Sequence, residues 1–459
     1  MKKTISVLLA CYLVFSVLSI SITTSADEDN NVSRAIGNFS SELFKHTYQQ
    51  GNIGKNMIVS PLSLYTDTAM LDNGAANQTQ SEILSMLQGG DENITQDDLN
   101  NYFKNYMQSI SNDKIVNMAN CVYFSDRDDI KINNGFVKTA KNFYYAEVFQ
   151  APPDNSTINR INNWASDNTN GAIKDIVGND DINEETNSVL LNAVAFYGEW
   201  KDKYTDSQIR SFPFNNYDGS TYEADFLCDT LDTYYSDDKA VAFTRPYKGD
   251  YEFIAILPNE DVGIDKYIET MDGSTINNLL NNSNWADVYT RIPKFEFNND
   301  LILNDTLRKM GMVEAFDFSK ADFSQLAPST DKNTYISNVK QKTHIRLDEN
   351  GTKAEAVTVY DDIVYGAAQP WEEIEIYLDR PFIFMIYDTL NSQPLFIGTV
   401  CELSADLQPK GDFTSSIVKS SNFRGVVVAL IAAIILICVV FVTIILIKKR
   451  SKKKQSENI

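Results

Sequence analysis

Residues 348–371 read "DENGTKAEAVTVYDDIVYGAAQPW". The first half has the two-residue rhythm of a strand, in which successive side chains point to opposite faces. Thr352, Ala354, Ala356 and Thr358 fall on one face, all small and uncharged; Lys353, Glu355, Val357 and Val359 fall on the other. The second half turns acidic and apolar, contains Gly366 and ends at Pro370. This is half a strand leading into a loop. A strand enters a packed sheet only if every second side chain can be buried there, and the small face meets that condition. Tyr360 and Asp362 continue the same phase. A buried Asp is costly unless it reaches solvent or a donor, so the far end of such a strand must lie near water.

Both ends of the chain are specialised. Residues 1–26 carry Lys2 and Lys3, then the apolar "VLLACYLVFSVLSISI", then small residues through Ala26. That is the pattern of a cleaved signal peptide. Gly425 to Ile447 gives 23 residues without a charge. As a helix they measure about 34 Å, enough to cross a hydrocarbon core of ~30 Å. "KKRSKKK", Lys448 to Lys454, follows at once. Basic flanks stay in the cytoplasm. The expected organisation is a signal peptide (1–26), an outer domain (27–404), a juxtamembrane stalk (405–424), a transmembrane helix (425–447) and a basic cytoplasmic tail (448–459). This predicts a type I protein at the cell surface.

The whole chain has 40 Lys and Arg against 62 Asp and Glu, a net charge of −22. Setting aside Lys2, Lys3, the six basic residues of the tail and Glu457 leaves 32 basic and 61 acidic residues outside, or −29. Such a domain repels nucleic acid and heparin-like polyanions, and neither is an expected partner. Cys121, Cys228 and Cys401 lie in the outer domain, an odd number. Free buried thiols are expected there, with a single bridge left open.

Catalysis is argued against by shortage. The chain has two histidines, His46 and His344. His46 lies in the helical pattern "SSELFKHTYQQ", and His344 in the alternating run "KTHIRLDE". A triad or a His-based metal site would have to use one of them. There is no GxSxG, Walker loop, HExxH or CxxC motif. The chain is read as no enzyme, with no metal and no cofactor.

The outer domain shows no fixed-period repeat. Helical patterns lead: "RAIGNFSSELFKHTYQQ", "SLYTDTAMLDNGA", "TQSEILSMLQ" and "LNNYFKNYMQSI". Strand-like runs follow, "SVLLNAVAFYGEW", "KAVAFTRPY" and "YEFIAILP", and then a helical "LNDTLRKMGM". At the end "EIEIYLDRPFIFMIYD" and "PLFIGTV" flank the turn "TLNSQ". Phe382 to Ile386 do not alternate, so this hairpin should be buried on both faces. The class is α+β with large sheets.

In order, "NMIVSPLSLYTDTAML", "TNGAIKDIV", "SVLLNAVAFYGEWKDKY", "FIAILP", "IPKFEF", "GMVEAFDFSKADFSQL", "IRLDENGTKAEAVTV" and "DRPFIFMI…PLFIGTV" resemble the serpins over nearly all of Val32 to Val400. The resemblance implies about nine helices, three β-sheets and an exposed reactive-centre loop. It implies a hinge at Glu349, Gly351, Thr352, Ala354, Ala356 and Thr358 and a reactive-centre loop from Lys353 to about Tyr377, with Thr352 exposed before cleavage. A sheet-opening region is implied at Ser60, Ser63, Asn192, Trp200 and Gln341. Gln341 stands where the family usually has His, and Lys353 where it usually has an acid. The loop before Asp379 is also a few residues longer than usual.

In that family a protease cuts the loop, is held as an acyl-enzyme, and is carried off as the loop inserts into the main sheet. Family spacing puts the bond between Tyr365 and Gly366, suiting a chymotrypsin-like serine protease. A register one residue shorter gives Val364, suiting an elastase-like pocket or a cysteine protease. The other reading is a non-inhibitory serpin acting as a cell-surface binding or adhesion module. Sequons at Asn31, Asn38, Asn77, Asn93, Asn155, Asn281 and Asn304 are expected to carry glycans, and Asn350, at the hinge, to stay bare.

Overall fold

The computed structural model describes residues 31–111, 115–127, 130–328, 334–352 and 372–409. Residues 31–49 are helical, and eight further α-helices and three sheets follow among the described residues. The expected signal peptide, stalk, transmembrane segment and tail fall outside the described residues, apart from the first part of the stalk. Among the described residues no helix is long and apolar enough to cross a membrane.

The helix Pro61–Asp72 begins where Ser60 is extended and Pro61 occupies the first turn, a position that needs no backbone N–H. All twelve of its residues are buried. It packs against Ser188–Phe196 of one sheet and Gln393–Val400 of another. Burial on every side explains why its sequence carries no polar stripe. By contrast Gln96–Ile110 is one-sided, and starts with a capping box between Thr95 and Asp98.

A five-stranded sheet has the order Phe295–Ile302, Asn338–Leu347, Ser188–Phe196, Val116–Ser125, Glu147–Ala151. Two neighbouring inner strands, Asn338–Leu347 and Ser188–Phe196, are parallel and in register from Asn338↔Val189 to Thr343↔Val194. There the pairing stops, although the first strand runs on to Leu347.

The nine-stranded sheet contains the predicted C-terminal hairpin, Phe382–Asp388 with Gln393–Val400. Phe382 to Ile386 are all buried, as the unbroken apolar run required. Phe384 stacks on Phe253 at 6.1 Å and tilts against Phe295 at 5.5 Å. Gly398 is needed opposite it, since a Cβ there would lie 2.5 Å from the Phe384 ring. The third sheet is only two short strands, Gly351–Thr352 against Gly198–Glu199. Cys121, Cys228 and Cys401 are free thiols.

Several elements have no counterpart in the sequence reading. Asn134–Tyr144 and Asn155–Asn168 are helices that bury Phe136, Ala140 and Tyr144, and Ile158, Ile161, Trp164 and Ala165, three and four residues apart among polar neighbours. Thr221–Ser236 is a 16-residue strand exposed along much of one side, so polar residues interrupt its rhythm. Replacing Phe384 by Ala should destabilise the domain by about 3–5 kcal/mol, the usual cost of emptying a buried aromatic site. The urea midpoint reads this, and an unchanged midpoint would show that the hairpin is not central to the core.

Candidate functional site

The residues expected at the sheet-opening region divide into two groups. Ser60, Ser63, Asn192 and Gln341 meet at the middle of the parallel pair, all buried. Gln341 Nε2 donates to the Ser60 carbonyl at 2.9 Å and to Asn192 Oδ1 at 3.0 Å, and Ser60 N donates to Gln341 Oε1 at 2.8 Å. Asn192 Nδ2 donates to Ser63 Oγ and, at 2.8 Å, to Asn120 Oδ1. One amide therefore ties the start of the helix to both inner strands. Gln341 occupies the family's His position as a neutral donor and acceptor, with no proton to gain or lose.

Trp200 lies instead at the hinge end, where the strand pairing has already stopped. Its indole Nε1 donates to the Asp348 carbonyl at 2.9 Å, and its backbone N donates to the Asn350 carbonyl at 3.1 Å. Tyr204 N reaches the Glu349 carbonyl at 3.1 Å. Three successive carbonyls, 348 to 350, are thus held by one short segment. Tyr247 stacks on Trp200, with ring centroids 4.4 Å apart, and shares a hydrogen bond of 2.7 Å with Thr352 Oγ1. Burial pushes the Tyr247 phenol up, so it stays neutral. Burial would also raise the Glu349 carboxyl, but the Lys294 ammonium at 2.7 Å, a backbone hydrogen bond and the Arg346 charge together outweigh it and hold the group below its ordinary value. Arg346 Nε donates to Asp348 Oδ2 at 2.9 Å.

Two expectations are corrected here. Thr352 does not begin an exposed loop. It is 2% exposed and pairs with Gly198 before any cleavage. The alternation of small residues marks what can be buried; it does not mark where the chain leaves the sheet. Asn304 is no glycan acceptor in the folded protein. It is buried, its Nδ2 donates to the Ser337 carbonyl at 2.7 Å, and its Oδ1 accepts from Val339 N at 2.8 Å. A sequon reports three residues and nothing of burial. Asn38 is half-buried, with Nδ2 donating to the Gly89 carbonyl at 3.0 Å. Asn77, Asn93, Asn155 and Asn281 are exposed, and Asn31 and Asn350 are half-buried.

Ala354, Ala356, Thr358, Val364, Tyr365 and Gly366 lie outside the described residues. Tyr247, Lys294, Arg346 and Asn120 hold the site together and were not singled out from sequence. Each comes from a different element, and none carries a local motif. His46 and His344, the two candidate bases, sit apart: His46 Nε2 is 3.3 Å from Glu42 on its own helix, and His344 Nδ1 is 2.9 Å from Asn298 Oδ1 on the neighbouring strand.

A parallel pair whose register ends beside a hinge held through its backbone carbonyls is the geometry of this site. The chain belongs to the serpin family, since residues 34–403 match the family model "Serpin (serine protease inhibitor)". The family inhibits serine proteases by complexing them and is not a family of enzymes. Plasminogen activator inhibitor 1 of Neovison vison is 28% identical over 422 residues, 87% of this chain and 99% of that protein. A serpin-like protein of Thermococcus kodakarensis is 29% identical, covering 81% of this chain and 85% of the other. Among solved structures the thermophilic serpin Tengpin in its native state is 36% identical with a TM-score of 0.74, covering 81% of this chain and 94% of that one.

Gly351 has φ +137°, and a Cβ there would lie 2.2 Å from the Gly198 carbonyl oxygen. Gly351→Ala should therefore unseat the hinge from Gly198–Glu199. Thr352→Val keeps the volume but leaves the buried Tyr247 hydroxyl unpaired, a loss of about 1–3 kcal/mol. Both variants should lower the melting temperature of the uncut protein. If Thr352→Arg melts like the wild type, Thr352 is exposed before cleavage and its placement here is wrong.

Proposed function

We propose that this chain is a membrane-anchored inhibitor of chymotrypsin-like serine proteases, displayed on the cell surface. The observation that carries the inhibitory reading is the seam. Asn338–Leu347 and Ser188–Phe196 are parallel, and their pairing ends at Thr343↔Val194, beside Gly351 and Thr352. A strand folding back from Thr352 between two parallel strands runs antiparallel to both. It would give each freed backbone N–H and C=O a new partner, so opening the seam leaves no lasting debt in hydrogen bonds.

In this reading the protease serine attacks the Tyr365 carbonyl, the Tyr365–Gly366 bond breaks, and Gly366 leaves as a new amino terminus. The acyl-enzyme is then trapped while Thr352, Ala354, Ala356 and Thr358 enter the sheet. Val364 as the acylated residue would redirect the inhibitor to elastase-like serine proteases or to a cysteine protease. The acidic outer domain gives heparin and nucleic acid no purchase. The charge-free run 425–447 and the basic flank 448–454 support a single span with the tail in the cytoplasm. The exposed sequons Asn77, Asn93, Asn155 and Asn281 suit a secreted surface.

Incubation with chymotrypsin followed by a denaturing gel should give a covalent band at the summed mass. A clipped chain alone would make the protein a substrate. No change would favour a surface binding or adhesion module. Protease added to intact cells should shed the serpin domain and spare a tag at the C-terminus; loss of the tag would reverse the topology. Deglycosylation in heavy-oxygen water, then peptide mapping, should mark Asn77, Asn93, Asn155 and Asn281, and leave Asn304 and Asn350 unmarked. A mark at Asn350 in protein that still traps protease would overturn the hinge geometry.

A further inference from the structure

Asp67 lies on the fully buried helix Pro61–Asp72, on the face that also carries Ser60 and Ser63. It has no exposed surface, and neither carboxyl oxygen has a hydrogen-bond partner. The amide hydrogens of the two seam residues, Asn192 and Gln341, are already committed. Asn192 has two amide hydrogens, and they go to Ser63 Oγ and Asn120 Oδ1. Gln341 spends its two on Ser60 and Asn192. Asn120 Nδ2 and Ser60 Oγ are likewise without partners. The cluster that joins the helix to the seam therefore holds a buried acid with nothing to neutralise it.

We propose that Asp67 is a protonated carboxyl in the closed molecule, and that its ionisation loosens the seam between Asn338–Leu347 and Ser188–Phe196. A bare carboxylate there draws the Asn192 amide toward it, which releases Ser63 and Asn120. The other route is water, which reaches Asp67 when Gln341 and Asn192 separate. Either route favours the opened seam.

Burial raises the Asp67 carboxyl well above its ordinary value, opposed by the neighbouring Asn192 amide, and no charged group acts on it. The facing strands present Asn120, Asn192 and Gln341, none of which titrates. Cys121, on the far face of its strand, feels the Asp67 charge, and burial first of all raises its thiol. A folded-state acid that is raised in this way stabilises most fully at low pH. Its contribution is lost as pH climbs from the ordinary carboxylate range toward the raised value. An opened state that releases this one proton gains up to about tenfold in population per pH unit.

The proposal rests on the insertion reading only in its second readout. The full chain, wild type and Asp67→Asn, is melted between pH 7 and 9. Asp72 on the same helix is pushed up to about 6 by burial, so its own loss is complete below this range. Glu252, Asp379 and Asp388 are also raised by burial and are common to both proteins. Wild-type melting should fall as pH rises; Asp67→Asn should melt at least about 2 °C higher at pH 9 and remove most of the slope. Asp67→Ala leaves a small cavity and should melt lower, yet share the flattened slope.

In the second readout an acetylated peptide spanning residues 352–365 is annealed into each protein and followed on a native gel. Uptake by the wild type should quicken several-fold from pH 7 to 9, and uptake by Asp67→Asn should stay slow. Equal melting slopes in wild type and both variants would overturn the role of Asp67, as would an Asp67→Asn protein less stable throughout. A peptide that enters neither protein would overturn the insertion reading, and the gating step with it.

Discussion

The hydrogen bond between Gln341 and Asn192 is the one contact on which the arrangement depends. It spans two parallel strands at the point where they must separate if a third is to enter between them. Its strength comes from company: Gln341 also holds the main chain at Ser60, and Asn192 also holds Ser63 and Asn120. A neutral hydrogen bond contributes only about 0.5–1.5 kcal/mol net, but a network in a dry interior is worth more when complete. The seam is thus closed by a set of modest bonds that fail together. A larger apolar interface would close it more firmly and would also make it unusable.

The hinge is built on the opposite plan. Residues 348 to 350 are held through their carbonyls by Trp200 and Tyr204, which makes the clamp indifferent to the side chains that alternate beyond it. The Thr352 side chain is itself engaged, through Tyr247. The anchoring of the hinge and the freedom of the sequence after it follow from the same choice of backbone contacts. The Lys294–Glu349 and Arg346–Asp348 pairs then fix the acidic turn against the sheet edge.

How much of this could be read in the chain depended on whether the signal was local. The hairpin at Phe382 to Val400 was legible because burial on both faces writes an unbroken apolar run. The helix after Ser60 was legible as the pattern Ser63 to Ala75, and the structure sets it two residues earlier, at Pro61–Asp72. Thr221–Ser236 was not, because a strand with one wet side and irregular pairing has no clean period. The sheet-opening residues were found by resemblance to a family; their division into a central group and a Trp200 group was not, since nothing in the spacing of Ser60, Asn192, Trp200 and Gln341 tells how far apart they fold. Thr352 was misplaced because small alternating residues describe a capacity for burial and carry no boundary. Asn304 was misjudged because its sequon is independent of the packing that claims both ends of its amide.

The place where the parallel pairing ends has a kinetic meaning. The register between the two strands ends at Thr343 and Val194 while the first strand runs on to Leu347, so they form a fork whose crotch lies there. A strand entering from Gly351 would meet an open end and need no nucleus; each step would break one rung and make two, and the first side-chain bond in its way would be that between Gln341 and Asn192, two residues beyond the crotch.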